Sequence, residues 1–367
     1  MSLFRPALDG LVPYEPGKPE EEVQRELGLD RVVKLASNEG PWGPFPAALE
    51  ALEVSAPALN RYPDGGTYHL RNALADRHGV RPEQIVTGAG ADAIIGHLSV
   101  AALDPGDEVV TGWPSFISYV LDALKLGAVP VRVALRDHHL DLEAMLAAIG
   151  PRTKLVYIAT PNNPTGTMTG RVELDAYFER VPEHVLTVLD QAYLEYIDDP
   201  DYPDGIEDFA KRDRRVLVLR TFSKIYGLAG LRVGYGIGSD ETIAAIGKVR
   251  RAFDVSTQAQ VAALASLDDA AELERRRTLT AVGRHELVRT LRTHGLEPVG
   301  PAVANFVFAE VAEDAGPLCA ALLREGVIVR PLRAFGAPGA LRITVGTPEE
   351  NAFFAGALAS VTAAGIT

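Results

Sequence analysis

Between two apolar runs, Val216–Leu219 and Val233–Tyr235, the chain places Thr221, Ser223, Lys224 and Arg232. Lysine is a compact charge whose pKa falls readily on burial, so it can serve as an amine nucleophile. Arginine stays charged and grips a phosphate with a planar fork. The hydroxyls of Thr221 and Ser223 add donors, and Gly227 and Gly230 permit turns and close backbone approach. This is the equipment to hold a phosphate and present an amine beside it. An ordinary charged surface loop is the plain alternative, but the strand-like flanks speak against it.

A second anion site is written into 84–103. A strand over Gln84–Thr87 meets G-A-G-A-D-A and then a helix from Ala91 to Leu103. The free N–H groups and positive end of such a helix suit a phosphate, with Gly90, Ala91 and Asp92 at the turn. The same string fits the dinucleotide fingerprint G-x-G-x-x-A. That reading needs a ribose-binding acid at the end of the next strand. The next strand, predicted over Glu108–Thr111, runs instead into Gly112 and Trp113. Further along, P-N-N-P-T-G at 161–166 marks a turn. D-Q-A-Y at 190–193 puts Asp190 at the carboxyl end of a strand over Val185–Leu189, the edge where ligands collect in parallel sheets.

The elements that must position these groups alternate. Helices are predicted over 67–78, 115–126, 142–149 and 172–181, and strands over 129–133, 154–160 and 216–219. That is the β-α-β rhythm of an α/β domain with a mostly parallel sheet. A helix over 241–251 follows, with Lys248, Arg250 and Arg251 as a solvated face, and another starts near Ser256. A long charged helix, 272–294, leads into a small α+β domain: strand 304–310, helix 315–324, strands 327–330 and 341–345, and a terminal helix 348–361. Arg275–Arg277 on the long helix is expected to be solvated. With 367 residues, two domains is the prior. A composition of 47% hydrophobic and 23% charged residues is that of a globular chain. The net charge of −13 argues against nucleic acid or an anionic membrane as partner. The single cysteine, Cys319, excludes an intrachain disulfide and suits a reducing cytoplasm. No run approaches the roughly 20 apolar residues that span a bilayer, no secretory leader is read at the N-terminus, and no HExxH or CxxC spacing supports a metal.

The motif S-K-I-Y-G-L-A-G-L-R-V-G-Y at 223–235 resembles the fold-type I aminotransferases that use pyridoxal phosphate (PLP), and among them the histidinol-phosphate aminotransferases. The resemblance covers roughly residues 10–360 and implies a residue-by-residue assignment. Lys224 forms the Schiff base with PLP and then acts as general base. Asp190 pairs with the pyridine nitrogen, and Asn163 and Tyr193 donate to the 3′-oxygen. Phe116 stacks on the ring, and Gly90, Ala91, Asp92, Thr221, Ser223 and Arg232 hold the phosphate. Tyr62 reaches across a homodimer to the neighbouring phosphate. Tyr14, Asn38, Arg330 and Arg342 contact substrate, with Arg342 gripping its anionic group. The implied architecture is an N-terminal arm and small-domain segment (1–44), a large PLP-binding domain (45–265) and a small C-terminal domain (266–367). The implied reaction is transamination between L-histidinol phosphate and 2-oxoglutarate in L-histidine biosynthesis. The pattern departs from the family at Gly40, at Ala93 and at Phe116, where histidinol-phosphate relatives commonly have tyrosine. Phe116 keeps open an aromatic-amino-acid aminotransferase, and a phosphothreonine-type decarboxylase shares the cofactor. A ligand-sensing domain on the same fold is the reading from another class; no basic or helix-turn-helix segment precedes residue 30 to favour it.

Overall fold

The computed structural model describes residues 3–9, 11, 18–212 and 215–366. Its first strand is short, β1 (Val33–Lys34). Seven more follow: β2 (Ile85–Gly88), β3 (Glu108–Trp113), β4 (Val129–Ala134), β5 (Thr153–Ala159), β6 (Leu186–Asp190), β7 (Val216–Thr221) and β8 (Gly234–Ile237). These seven form one sheet in the order β2-β8-β7-β6-β5-β3-β4. Every pairing is parallel except those of β8, which runs antiparallel to both β2 and β7. Helices cover both faces, so β7 is buried along its whole length and β5 and β6 nearly so. Their near-continuous apolar sequences follow from that burial. At the edge, β4 is half-exposed and tolerates Pro130, whose missing N–H needs no partner there.

The sheet order settles the dinucleotide fingerprint. In the doubly wound nucleotide folds the fingerprint strand lies centrally. Here β2 is an edge strand, bonded to an antiparallel neighbour.

The C-terminal part adds β9 (Glu297–Pro298), β10 (Phe306–Glu310), β11 (Val327–Ile328), β12 (Arg330–Pro331) and β13 (Ala340–Thr344). An antiparallel sheet runs β12-β13-β10-β9, and β1 pairs in parallel with β11 through Val33↔Val327. Val33 and Leu35 therefore share a core with Leu287, Val307, Leu322, Ile343 and Phe354. The 24-residue helix Ala270–Thr293 packs on this part, begun by Asp269, whose carboxylate accepts from the Glu272 N–H. The terminal helix Pro348–Ala363 starts with a capping box of Thr347 and Glu350.

Four expectations change. The strand 108–111 continues to Trp113, because β4 offers a parallel partner up to Ala134. The single strand expected over 327–330 is two, β11 and β12, because the chain leaves β1 to pair with β13. Arg276 is not solvated but 1% exposed. It donates to Gly43 O and Pro44 O (2.6 and 3.3 Å), to Ile225 O (3.0 Å) and to Glu272 (2.7 Å). Arg250 also turns inward, donating to the carbonyls of Gly65 and Thr87.

Candidate active site

The parallel strands deliver their carboxyl ends to one edge of the large sheet, and a cavity of about 230 Å³ opens there. Asp190 is the last residue of β6 and is buried. Its Oδ1 accepts from the Ala192 N–H (3.1 Å) and its Oδ2 from the Tyr119 hydroxyl (2.7 Å). Burial pushes its pKa up; the two hydrogen bonds and the Lys224 cation pull the other way.

Lys224 stands in the bend after β7, with Nζ 5.5 Å from the centre of the Tyr193 ring. Burial, with help from the Arg342 and Arg232 cations, brings its pKa down to about 8. A substantial fraction of the amine is thus neutral near physiological pH, as a nucleophile or base requires.

Beside it lies an anion cradle. Arg232 sits at φ 55° just before β8 and donates from Nη1 to Ser223 Oγ (3.3 Å) and Ala229 O (3.0 Å). Its guanidinium rests so close to Gly90 that a Cβ at 90 would lie 2.6 Å from Nη2. Gly90 (φ 81°, ψ 165°) turns the chain into the helix Ala91–Ala102, whose first N–H groups face the same space. On the far side, Arg342 of β13 donates to Asn163 Oδ1 and to Ala36 O (2.7 Å). Asn38 donates to the Tyr193 hydroxyl (2.9 Å), which leaves the phenol proton available to a ligand.

Residues 30–358 match the family model described as aminotransferase class I and II. A histidinol-phosphate aminotransferase of Moorella thermoacetica is 44% identical over 359 residues, 98% of this chain and 93% of that protein. Histidinol-phosphate aminotransferase 2 of Pseudomonas aeruginosa is also 44% identical, across 99% of this chain and 98% of its own length. The chain belongs to the class I and II aminotransferases. Among solved structures, the histidinol-phosphate aminotransferase of Sinorhizobium meliloti in complex with pyridoxal-5′-phosphate superposes with a TM-score of 0.89 at 31% identity, covering 99% of this chain and 98% of that one. The fold is the fold-type I architecture that the sequence motif suggested.

This aminotransferase gathers most of the expected site residues around the one cavity. Asn38, Ala91, Asp92, Phe116, Asn163, Asp190, Tyr193, Thr221, Ser223, Lys224, Arg232, Arg330 and Arg342 line it. Gly90 lies against it through Arg232. The donor set fits a phosphorylated pyridoxal: a cradle of N–H groups and one arginine for the phosphate, a buried carboxylate for a ring nitrogen, and an amine lining the same cavity. Tyr62 is elsewhere, 83% exposed and stacked on Phe253 at 4.7 Å. Tyr14 lies outside the described residues. Arg333 faces away, paired with Asp314 at 2.7 Å. Gly40 touches the Lys224 loop: a Cβ there would come 3.0 Å from Lys224 O. Among the described residues no helix is long and apolar enough to cross a membrane.

Several residues of the cavity were not singled out from sequence, three of them with side chains that shape it. Ile117 and Phe335 form an apolar wall of the cavity, and Tyr119 touches Asp190. Tyr119 had a visible signal: it follows Phe116 by three residues, the spacing that puts two side chains on one helix face.

Proposed function

We propose that this aminotransferase transfers the amino group of L-histidinol phosphate to 2-oxoglutarate, forming glutamate, with PLP as cofactor, in L-histidine biosynthesis. The reading is carried by one cavity lined together by Lys224, with its lowered pKa, the buried Asp190 carboxylate and two arginines, Arg330 and Arg342. The full-length similarity to histidinol-phosphate aminotransferases supports this substrate.

The bound pyridoxal ring supplies an electron sink for charge that develops on the amine-bearing carbon of the substrate. Lys224 would hold the cofactor covalently, and Asp190 would keep the ring nitrogen protonated. The Asn163 amide, its oxygen held by Arg342, and the Tyr193 hydroxyl would donate to the ring oxygen. Phe116 would cover one ring face, and Gly90, Ala91, Asp92, Thr221, Ser223 and Arg232 would hold the phosphate. With the cofactor bound, Lys224 Nζ would take the proton from the amine-bearing carbon of the substrate. Its pKa of about 8 suits both the uptake and the return of that proton. Arg330 and Arg342 are cross-strand neighbours on β12 and β13, so both can face one anion, a phosphate ester or a carboxylate.

A homodimer is part of the same reading. Tyr62 and Phe253 form an exposed stack, and Leu59 and Tyr68, close to Tyr62 in sequence, are exposed as well. Tyr62 in this position would reach the phosphate of the partner's site. A reducing cytoplasm is the compartment that suits a chain with one cysteine.

The apolar wall of Phe116, Ile117 and Phe335 favours a flat ring and keeps a second reading, an aromatic-amino-acid aminotransferase. Single half-reactions decide. PLP-loaded protein mixed with L-histidinol phosphate should convert to the pyridoxamine form faster than with L-phenylalanine. The reverse order would select the aromatic reading. Lys224→Ala should abolish turnover and the borohydride-fixable link to PLP; normal turnover by that variant would overturn the assignment.

A further inference from the structure

Tyr119 is 1% exposed, and its hydroxyl donates to Asp190 Oδ2 at 2.7 Å. Its ring is fixed from two sides: stacked on Tyr157 at 4.2 Å and 10°, and edge-on to Phe116 at 5.6 Å and 79°. It belongs to the helix Ile117–Leu126, whereas Asp190 ends β6, so the contact joins two elements at the bottom of the cavity. We infer that Tyr119 is a positioning residue for cofactor binding, which holds the Asp190 carboxylate ionised and aimed at the ring nitrogen while bracing Phe116 beside it. The inference rests on the PLP reading above.

The physical case is a count of donors. A carboxylate at this depth has lost its water, and a buried ionised group must be hydrogen-bonded to stay charged. Among the described residues two donors reach Asp190: the Ala192 N–H on Oδ1 and the Tyr119 hydroxyl on Oδ2. The first comes with the strand end and is present whatever the side chains are. The second is specific to Tyr119. Burial drives the phenol pKa well up, so Tyr119 remains a neutral donor and does not compete as an anion. The charged and titratable groups that act on Asp190 with it are Lys224 and Asp92. Without the phenol, Asp190 becomes more basic and a proton shared with a ring nitrogen shifts toward it, which weakens the ion pair.

The test compares Tyr119→Phe, which removes only the hydroxyl, with Tyr157→Phe, which removes a buried hydroxyl from the same stack without touching Asp190. The readout is the dissociation constant of the apoprotein for PLP and for 1-deaza-PLP, whose ring lacks the nitrogen. A hydrogen bond to a charged group sets the scale, and Tyr119→Phe should weaken PLP binding about tenfold or more. It should leave 1-deaza-PLP binding within about twofold of wild type, and Tyr157→Phe should leave the PLP-to-analogue ratio unchanged. Equal losses for PLP and the analogue would reduce Tyr119 to packing and overturn the inference, as would an unchanged PLP constant. Failure of the wild-type protein to bind PLP would instead overturn the function proposed above.

Discussion

Gly90→Ala tests the phosphate cradle at its tightest point. Gly90 holds φ 81° and ψ 165°, a region essentially closed to side-chain-bearing residues, so alanine costs about 1–3 kcal/mol in the folded state. The new methyl would lie 2.6 Å from Arg232 Nη2 and 3.2 Å from Cζ. The arginine tip is flexible and can move, so the steric cost itself is small. The consequence falls on binding, because the guanidinium leaves the position next to the Ala91 helix start. Losing one hydrogen bond to a charged group removes about 1.5–3 kcal/mol, roughly ten- to a hundredfold in affinity. Titrating apoprotein with PLP, followed by quenching of intrinsic fluorescence, should therefore show that loss. The same titration with pyridoxal, which lacks the phosphate, should show little. A parallel denaturant titration reads the backbone cost separately. If Gly90→Ala loses PLP and pyridoxal affinity to the same degree, or neither, Arg232 does not hold the phosphate and the cradle is misread.

Lys224 should leave a pH signature in the apoprotein. Its native pKa, about 8, lies below its ordinary value of 10.5, so between those values the unfolded chain binds more protons than the folded one and stability rises with pH. Lys224→Met should be more stable than wild type at pH 7, with the gap closing toward pH 10.5; urea midpoints showing a constant difference across that range would contradict the assignment. Arg276→Met should cost roughly 2–5 kcal/mol in urea unfolding, because it strips donors from the carbonyls of Gly43, Pro44 and Ile225. Because Ile225 adjoins Lys224, the same variant should also slow reformation of the PLP linkage; wild-type stability would mean the buried ties are replaced by water.

What could be read along the chain was whatever a short segment decides by itself. The order Thr221, Ser223, Lys224, Arg232 fixes two charges on one loop, and the run ending in Asp190 fixes a carboxylate at a strand end; neither needs a distant partner to be noticed. Arg276 shows the opposite case. Three arginines in succession, 275–277, look alike in sequence, and helical periodicity alone cannot say which turns inward. That depends on the bare carbonyls at Gly43 and Pro44, more than two hundred residues away in sequence. Arg330 and Arg342 lie between these extremes. Each was visible as a cation on a strand, but that they oppose one another across β12 and β13 is a property of register. Register also explains the broken strand at 327–330: its residues have strand propensity throughout, and the switch from β1 to β13 as partner is invisible without both partners. Tyr119 belongs with Arg276 for the same reason, since its value comes from Asp190, reached only when the helix Ile117–Leu126 packs over the sheet. The chemistry of the site is therefore local in sequence at its reacting groups and non-local at the groups that aim them, and substitutions at the second kind are the sharper tests of the fold's part in function.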